Sequence, residues 1–202
     1  MSYSQNSEED VILDYFGNFK GHLLDIGAND GITLSNSREM IVRGWGGVLV
    51  EPSPTAFKKL KYLYLDHSKI DLLNVAIGAT NGPAMFYESG SLLDRDDVAL
   101  VSTMSAIEKQ RWKHTHFTEI EVMCITPEGL VSQLETTMEF VSIDTESLDY
   151  FILCNLPFTK MGTRAVCVEF NGKEEQKYVD VMRPQGFQLM HKNGENLIFF
   201  HV

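Results

Sequence analysis

An aspartate at the end of an apolar run, followed at once by two glycines four positions apart, stands near the start of the chain in "GHLLDIGANDGITLSNS". The residues are Asp25, Gly27 and Gly31. Glycines here let backbone approach a ligand and open dihedrals closed to other residues. The helix expected next offers free N–H groups to an anion. The nicotinamide fingerprint reads G-x-G-x-x-G; this stretch reads D-x-G-x-x-x-G, which leaves room for a different ligand. Three more apolar runs end in acids, at Glu51, at Asp144 with Glu146, and at Glu169. Open parallel sheets bind ligands beyond the carboxyl ends of their strands, so four acidic strand ends in register predict one ligand crevice. A carboxylate in the place of Glu51, at the end of a second strand, accepts hydrogen bonds from a ribose diol. Its bland reading is a loop acid before Pro52.

Asp144 and Glu146 stand two positions apart where an apolar strand runs out, so both reach the crevice from different angles. A close like charge raises one carboxyl toward a useful base. Glu146 is therefore assigned as base or substrate-orienting residue, with Asp144 in support; the rival reading has both carboxylates only accepting from helix N–H groups. His114 and His116, in "KHTH", are the other base candidates, and His116 is kept in the catalytic set, since imidazole titrates near neutrality. Asp144, Glu146 and Glu169 are chemically able to surround a hard cation such as magnesium, but no spacing demands one and no metal ligands are assigned. Ser102 fits substrate hydrogen bonding or a helix cap equally well. Trp45 reads as core, and Trp112 as a stacking platform or an anchor for a lid.

These residues need elements to position them. "SEEDVILDYF" puts acids ahead of an apolar helical pattern, which suits the dipole. "HLLDI", "GVLVEP" and "DLLNVAIGA" read as buried strands, with "AMFYES" extending the last edge, and "TLSNSREMIVRGW" and "PTAFKKLKYLYL" as helices between them. Proline opens the second helix. Strand alternating with helix predicts a parallel sheet covered on both faces. "FTEIEVMCI", "MEFVSIDTES" and "TRAVCVEF" are further strands, "TPEGLVSQLE" and "KEEQKYVDVMRPQG" further helices. "FQLMHKNGENLIFFHV" is a hairpin turning at "NG". The 91–116 stretch is irregular and reads as a segment covering the site.

The 202 residues suit one domain, 1–202, with a sizeable core. Seventeen basic against 28 acidic side chains give a net charge of -11, which disfavours nucleic acid as the main partner. Cys124, Cys154 and Cys167 are odd in number and lie in apolar contexts, so buried free thiols are expected. The opening "MSYSQNSEED" is polar and acidic, and no apolar run approaches a membrane span. The expectation is a soluble cytoplasmic protein with no membrane partner.

Taken together, "LLDIGANDGITLS", "GVLVEPSPTAFKKL", "NVAIG", "FVSIDTESLDYFIL", "AVCVEF" and the late "GF" resemble the FkbM-type family of S-adenosylmethionine-dependent methyltransferases. The similarity runs from Glu8 to the end and is weakest over Ser91 to His116. The resemblance implies a class I methyltransferase fold: α/β, Rossmann-like, a seven-stranded mostly parallel sheet with an antiparallel C-terminal strand, and helices on both faces. It implies S-adenosyl-L-methionine as cofactor and O-methylation of a saccharide or natural-product hydroxyl. Carried over by motif, Asp25, Gly27, Asn29 and Gly31 line the methionine part, with Asp25 facing its ammonium through water. Glu51 holds the ribose hydroxyls, Asn74 and Ala76 flank the adenine, and Asp144 lies beside the transferred methyl. The family commonly carries glycine after the glutamate of I-D-x-E; here it is Ser147, which fits if its dihedral is ordinary and can cap the next helix. With little room for a substrate-binding insertion, the 91–116 segment or a second copy of the chain is expected to complete the pocket. Two other classes stay open: a nicotinamide-dependent oxidoreductase, which shares the fold and the second-strand acid, and a non-catalytic cofactor-binding or interaction module. A protein or RNA acceptor is a further alternative, and the negative charge argues against RNA.

Overall fold

The computed structural model describes residues 2–90 and 99–202. Its main sheet contains β1 (His22–Ile26), β2 (Gly46–Val50), β3 (Ile70–Leu73), β7 (Phe140–Ile143), β8 (Ala165–Glu169), β9 (Phe187–Lys192) and β10 (Asn196–His201). The order across it is β3-β2-β1-β7-β8-β10-β9. β3, β2, β1, β7 and β8 run parallel, and β10 is antiparallel to both β8 and β9. β10 is thus the one reversed strand, inserted next to the edge as expected.

β1, β2, β7, β8 and β10 are buried on both faces, so they read as apolar runs, and alternate residues serve two separate cores. Leu24, Ile26, Val141, Ile143, Val166 and Val168 face α5 (Pro127–Val131), α6 (Asp149–Asn155) and α7 (Glu175–Met182), whose Leu130, Ile152 and Met182 meet them. Leu23, Leu49, Phe140 and Cys167 face α1 (Glu8–Phe16), α2 (Arg38–Val42) and α3 (Pro54–Leu63) through Ile12, Met40 and Leu60. Each large apolar side chain removed from water contributes about 1.5 to 3 kcal/mol. Local signals set the helix starts. Ser53 Oγ accepts from Ala56 N at 3.1 Å with Pro54 next, and Thr126 Oγ1 accepts from Gly129 N at 3.1 Å with Pro127 next. At the hairpin turn Asn193 Oδ1 accepts from the backbone N–H groups of Glu195 and Asn196.

The structure corrects the sequence reading in three places. "DLLNVAIGA" is not one strand: β3 ends at Leu73, and Ala76–Ile77 (β4) joins a second sheet of order β4-β6-β5, with β5 (Gly82–Ser89) antiparallel to β6 (Phe117–Ile125). "AMFYES" therefore builds a new sheet and does not extend the old edge. The break follows from Asn74, whose amide donates to Glu51 O at 2.7 Å and Pro52 O at 3.1 Å and turns the chain out of the main ladder. The acids opening α1 do more than complement a dipole. Glu9 accepts from Tyr3 N and Ser4 N, and Glu8 from Asn6 N, Asn193 and Asn196, which straps residues 3–6 over the sheet. Finally, Cys124 and Cys167 are buried, but Cys154 is exposed, because α6 turns Ile152 and Leu153 inward and the next position outward. Among the described residues no helix is long and apolar enough to cross a membrane.

Candidate active site

A cavity of about 380 Å³ opens above the carboxyl ends of β1, β2, β7 and β8, within the range of small-molecule sites. β1 lies between β2 and β7, with Asp25 opposite both Leu49 and Ser142. One register therefore brings three strand ends level. Asp25, Gly27, Asn29, Glu51, Ala76, Asp144 and Glu146 all reach the wall. Gly31, Asn74 and His116 do not. A Cβ on Gly31 would meet Leu60, Leu63 and Tyr64, so this glycine packs its loop on α3. Asn74 staples the end of β2, as described above. His116 is exposed, and its carbonyl accepts from Gly90 N at the start of the β5–β6 ladder, away from the cavity. His114 is likewise exposed.

The loop after β1 is stiff. Gly27 holds φ at +94°, and a Cβ there would lie 1.7 Å from the carbonyl oxygen of Asp144. Only glycine lets the β1 turn and the β7 turn touch. Asn29 is left-handed at φ 47° and its side chain accepts from Asp30 N at 2.6 Å. Asp30, which the sequence reading passed over, accepts from Ile32 N, Thr33 N and Thr33 Oγ1 and closes the turn.

Glu51 holds this loop to β2. Its two oxygens accept from Asn29 N at 2.8 Å and Ser53 N at 2.7 Å. Burial pushes its carboxyl up to about 7; those two backbone N–H groups pull the other way, and the Asp25 and Glu88 carboxylates push further up. Asp25 accepts from Ser37 Oγ at 2.6 Å, and burial raises it to about 6 against the hydrogen bonds of Ser37 and Ser142. Both groups keep acceptor capacity toward the cavity. They suit a cationic ligand that also carries hydroxyls.

The opposite wall is built by the turn after β7. Glu146 sits at φ 57°, a strained left-handed conformation for a residue with a side chain. Its Oε2 is buried with no hydrogen-bond partner. Burial, then the neighbouring Asp144 and Asp149 carboxylates, hold Glu146 well above the ordinary carboxyl range. Ser147 has an ordinary φ, so serine fits where the family commonly has glycine, and the unusual dihedral falls one residue earlier. Its hydroxyl does not cap α6. It hydrogen-bonds Thr103 Oγ1 at 2.9 Å, and that oxygen donates to Glu146 O at 3.1 Å.

Through Thr103, the segment from Ala99 onward joins the wall, together with Ser102, Arg111 and Trp112. Residues 91–98 of the expected 91–116 lid lie outside the described residues. The Trp112 indole N–H is buried without a partner, and the Arg111 guanidinium lies 5.1 Å from the centre of its ring. The sequence reading grouped Asp144, Glu146 and Glu169 as possible cation ligands. The structure instead gathers Asp144, Asp149 and Glu169. Sequence reasoning singled out neither Asp149 nor Thr103, the second of which lies within an irregular stretch.

The family model for the Methyltransferase FkbM domain matches residues 25–190. The chain belongs to the FkbM methyltransferase family. It is an S-adenosylmethionine-dependent methyltransferase. That decides against the oxidoreductase reading, as the missing G-x-G-x-x-G suggested. No curated protein matches the sequence. Among solved structures, the methyltransferase is similar to a ribosomal protein L11 methylase from Lactobacillus delbrueckii subsp. bulgaricus, with 9% identity, TM-score 0.53, and 96% of this chain and 77% of that one covered. It is also similar to the magnesium protoporphyrin IX methyltransferase of Synechocystis PCC 6803, with 11% identity, TM-score 0.52, and 96% and 78% covered. At such identities the likeness is one of fold, and the two differ in what they methylate, so acceptor choice rests on the site.

Proposed function

We propose that this methyltransferase transfers a methyl group to a hydroxyl of a saccharide or natural product, with the cofactor against β1 and β2 and the acceptor against the β7–β8 side. The observation that carries the reading is the division of one cavity wall into two acidic halves, Asp25 with Glu51 and Asp144 with Glu146. S-adenosylmethionine supplies an electrophilic methyl carbon on a positively charged sulfur that leaves as a neutral thioether. Glu51, fixed by Asn29 and Ser53, accepts from the ribose hydroxyls with its remaining lone pairs. Asp25 faces the ammonium. Gly27 and Asn29 bring backbone against the methionine part, and Ala76 offers a small surface beside the adenine. Asn74 and Gly31 lie outside the cavity wall and support the loops that form it.

An acceptor hydroxyl sheds its proton as its oxygen attacks the methyl carbon. Glu146, in its ionised form, takes that proton: the residue lines the cavity, and its Oε2 has no hydrogen-bond partner. Placement in line behind the carbon supplies much of the rate, and Trp112, in the cavity wall, offers a flat aromatic surface on which a sugar ring packs. A wall with six carboxylates (Asp25, Glu51, Asp144, Glu146, Glu169, Glu195) and one guanidinium (Arg111) among its described residues repels a phosphate-rich acceptor. Calorimetric titration with S-adenosylmethionine and S-adenosylhomocysteine, beside Asp25→Ala and Glu51→Ala, tests the cofactor half. Micromolar binding lost in both variants supports it, and unchanged binding in either refutes its assignment. Labelled-methyl transfer into hydroxylated and amine acceptors tests the other half; transfer to amines alone would overturn the hydroxyl reading.

A further inference from the structure

Methyl transfer as proposed uses Asp25, Glu51 and Glu146, but leaves three carboxylates without a task. β7 and β8 are parallel neighbours with Ile143 opposite Val168, so one residue further on Asp144 stands beside Glu169. The turn after β7 then folds Asp149 back onto them. One oxygen from each of Asp144, Asp149 and Glu169 lies within 4.8 Å of the others. Asp149 is held rigidly: Oδ1 accepts from Thr145 N at 2.6 Å and Thr145 Oγ1 at 3.0 Å, and Oδ2 from Ser147 N at 3.1 Å. A carboxylate with these bonds still has free lone pairs.

The one basic side chain in the cavity wall among the described residues, Arg111, attracts Glu169 from a distance and makes no salt bridge to the group. The five salt bridges among the described residues all lie elsewhere, and Arg111 is paired with Glu108. A second observation points to a ligand. Glu169 is 8% exposed, lines the cavity, and its Oε2 has no hydrogen-bond partner. A buried oxygen left unmatched in this way is costly, and a native site usually fills it.

We propose that Asp144, Asp149 and Glu169 hold a hard divalent cation, of the magnesium, manganese or calcium class, on the acceptor side of the cavity. All-oxygen donors select such ions over softer ones. With bonds of about 2.0–2.6 Å, oxygens sharing one ion sit roughly 3 to 5 Å apart, which is the spacing these side chains already have. Three protein oxygens leave coordination positions that open on the cavity. An acceptor oxygen entering there loses its proton more readily, and an acceptor with two adjacent oxygens is favoured because it fills two positions at once. The role in methylation rests on the proposed function; binding of the ion does not.

The test is therefore made with the metal alone. Purified protein is titrated with Mn²⁺ while the free-ion electron paramagnetic resonance signal is followed, with Mg²⁺ and Ca²⁺ as competitors. One saturable Mn²⁺ per chain is expected, weakened at least tenfold by Glu169→Gln and by Asp144→Asn and unchanged by Glu119→Gln on the surface. Mn²⁺ should raise the thermal midpoint of the wild type and leave that of Glu169→Gln in place. Glu169→Gln keeps the shape and removes one anionic ligand, so it decides the matter if Asp144→Asn fails to fold. Weak, non-saturating uptake equal in all proteins would mean counterions on an acidic surface and would overturn the proposal, as would tight binding retained by Glu169→Gln. Cofactor titration of Glu169→Gln separates the readings: a wild type that binds Mn²⁺ but no S-adenosylmethionine sinks the methyl-transfer site and leaves the cation site standing.

Discussion

Glu51 is the group through which pH should act most clearly on this protein. Its carboxyl rises from an ordinary 4.5 to about 7 in the fold, chiefly through burial. A raised acid holds its proton in the native state after the unfolded chain has released it. Its contribution to stability is complete below pH 4.5 and is lost as pH rises to about 7. The slope in that window is about 1.4 kcal/mol per pH unit, and the whole term is about 3 kcal/mol. Glu51→Gln cannot titrate, so the variant lacks this slope. It carries instead a constant cost, because its amide N–H₂ must face one of the two N–H donors, Asn29 or Ser53, that the carboxylate now satisfies. Leaving one donor unmatched costs about 1 to 3 kcal/mol at every pH.

The variant should therefore be less stable than the wild type at pH 5.5 and should draw level with it by pH 8. Between those values the wild type loses about 2 kcal/mol that the variant keeps, equivalent to about 4 to 8 °C in thermal midpoint for a chain of this size. Urea unfolding of both proteins at pH 5.5, 6.5 and 8 reads it directly. Asp25 titrates in both, and its coupling to Glu51 is a smaller effect than burial. Parallel stability curves would refute the reasoning, since they would mean that burial does not raise Glu51. The same carboxyl predicts proton release when the cofactor binds near pH 6, because ribose hydroxyls donate to the ionised form; calorimetry in two buffers of different ionisation enthalpy measures it.

Gly27→Ala should destabilise by about 2 to 5 kcal/mol, the sum of a left-handed residue and a side chain forced against the Asp144 carbonyl; Gly31→Ala meets only side-chain tips and should cost less, and urea midpoints compare them. Asn74→Ala removes two hydrogen bonds at the end of β2 and should cost about 1 to 3 kcal/mol, with a thermal shift to match and weakened cofactor binding through Glu51. Glu146→Gln should lower labelled-methyl transfer about a hundredfold or more at unchanged cofactor affinity, whereas His116→Ala should leave transfer intact. Iodoacetamide on the native protein should label Cys154 alone by mass spectrometry, because burial shields Cys124 and Cys167 and raises both thiols.

Much of the frame was legible because a buried parallel strand has a plain signature. "HLLDI", "GVLVE", "FVSID" and "AVCVEF" are mostly apolar, carry an acid at or next to their carboxyl ends, and fold as adjacent strands whose ends share one cavity. What failed was local. "DLLNVAIGA" has one apolar pattern but two sheets, and the break depends on where an Asn74 amide finds carbonyls from another strand. Asn74 and Gly31 were assigned to the ligand because motifs record position along the chain, whereas contact depends on which way a loop turns. His116 has suitable chemistry, but the pairing of β5 with β6 carries it off the wall.

Ser147 and Asp149 show why the rest lay beyond sequence reasoning. In "IDTESLD" the odd residue is the serine, and attention falls on whether it can take a glycine's dihedral. The fold moves that demand to Glu146, whose left-handed backbone turns its carboxylate inward, and leaves Ser147 free to bind Thr103. Asp149 then stabilises the strained turn by accepting from Thr145 and Ser147. An acid at the start of a helix looks like a response to the helix dipole. Only when β7 and β8 lie side by side does Asp149 become the third member of a buried acidic group with Asp144 and Glu169, and that juxtaposition depends on a contact between residues 20 positions apart or more.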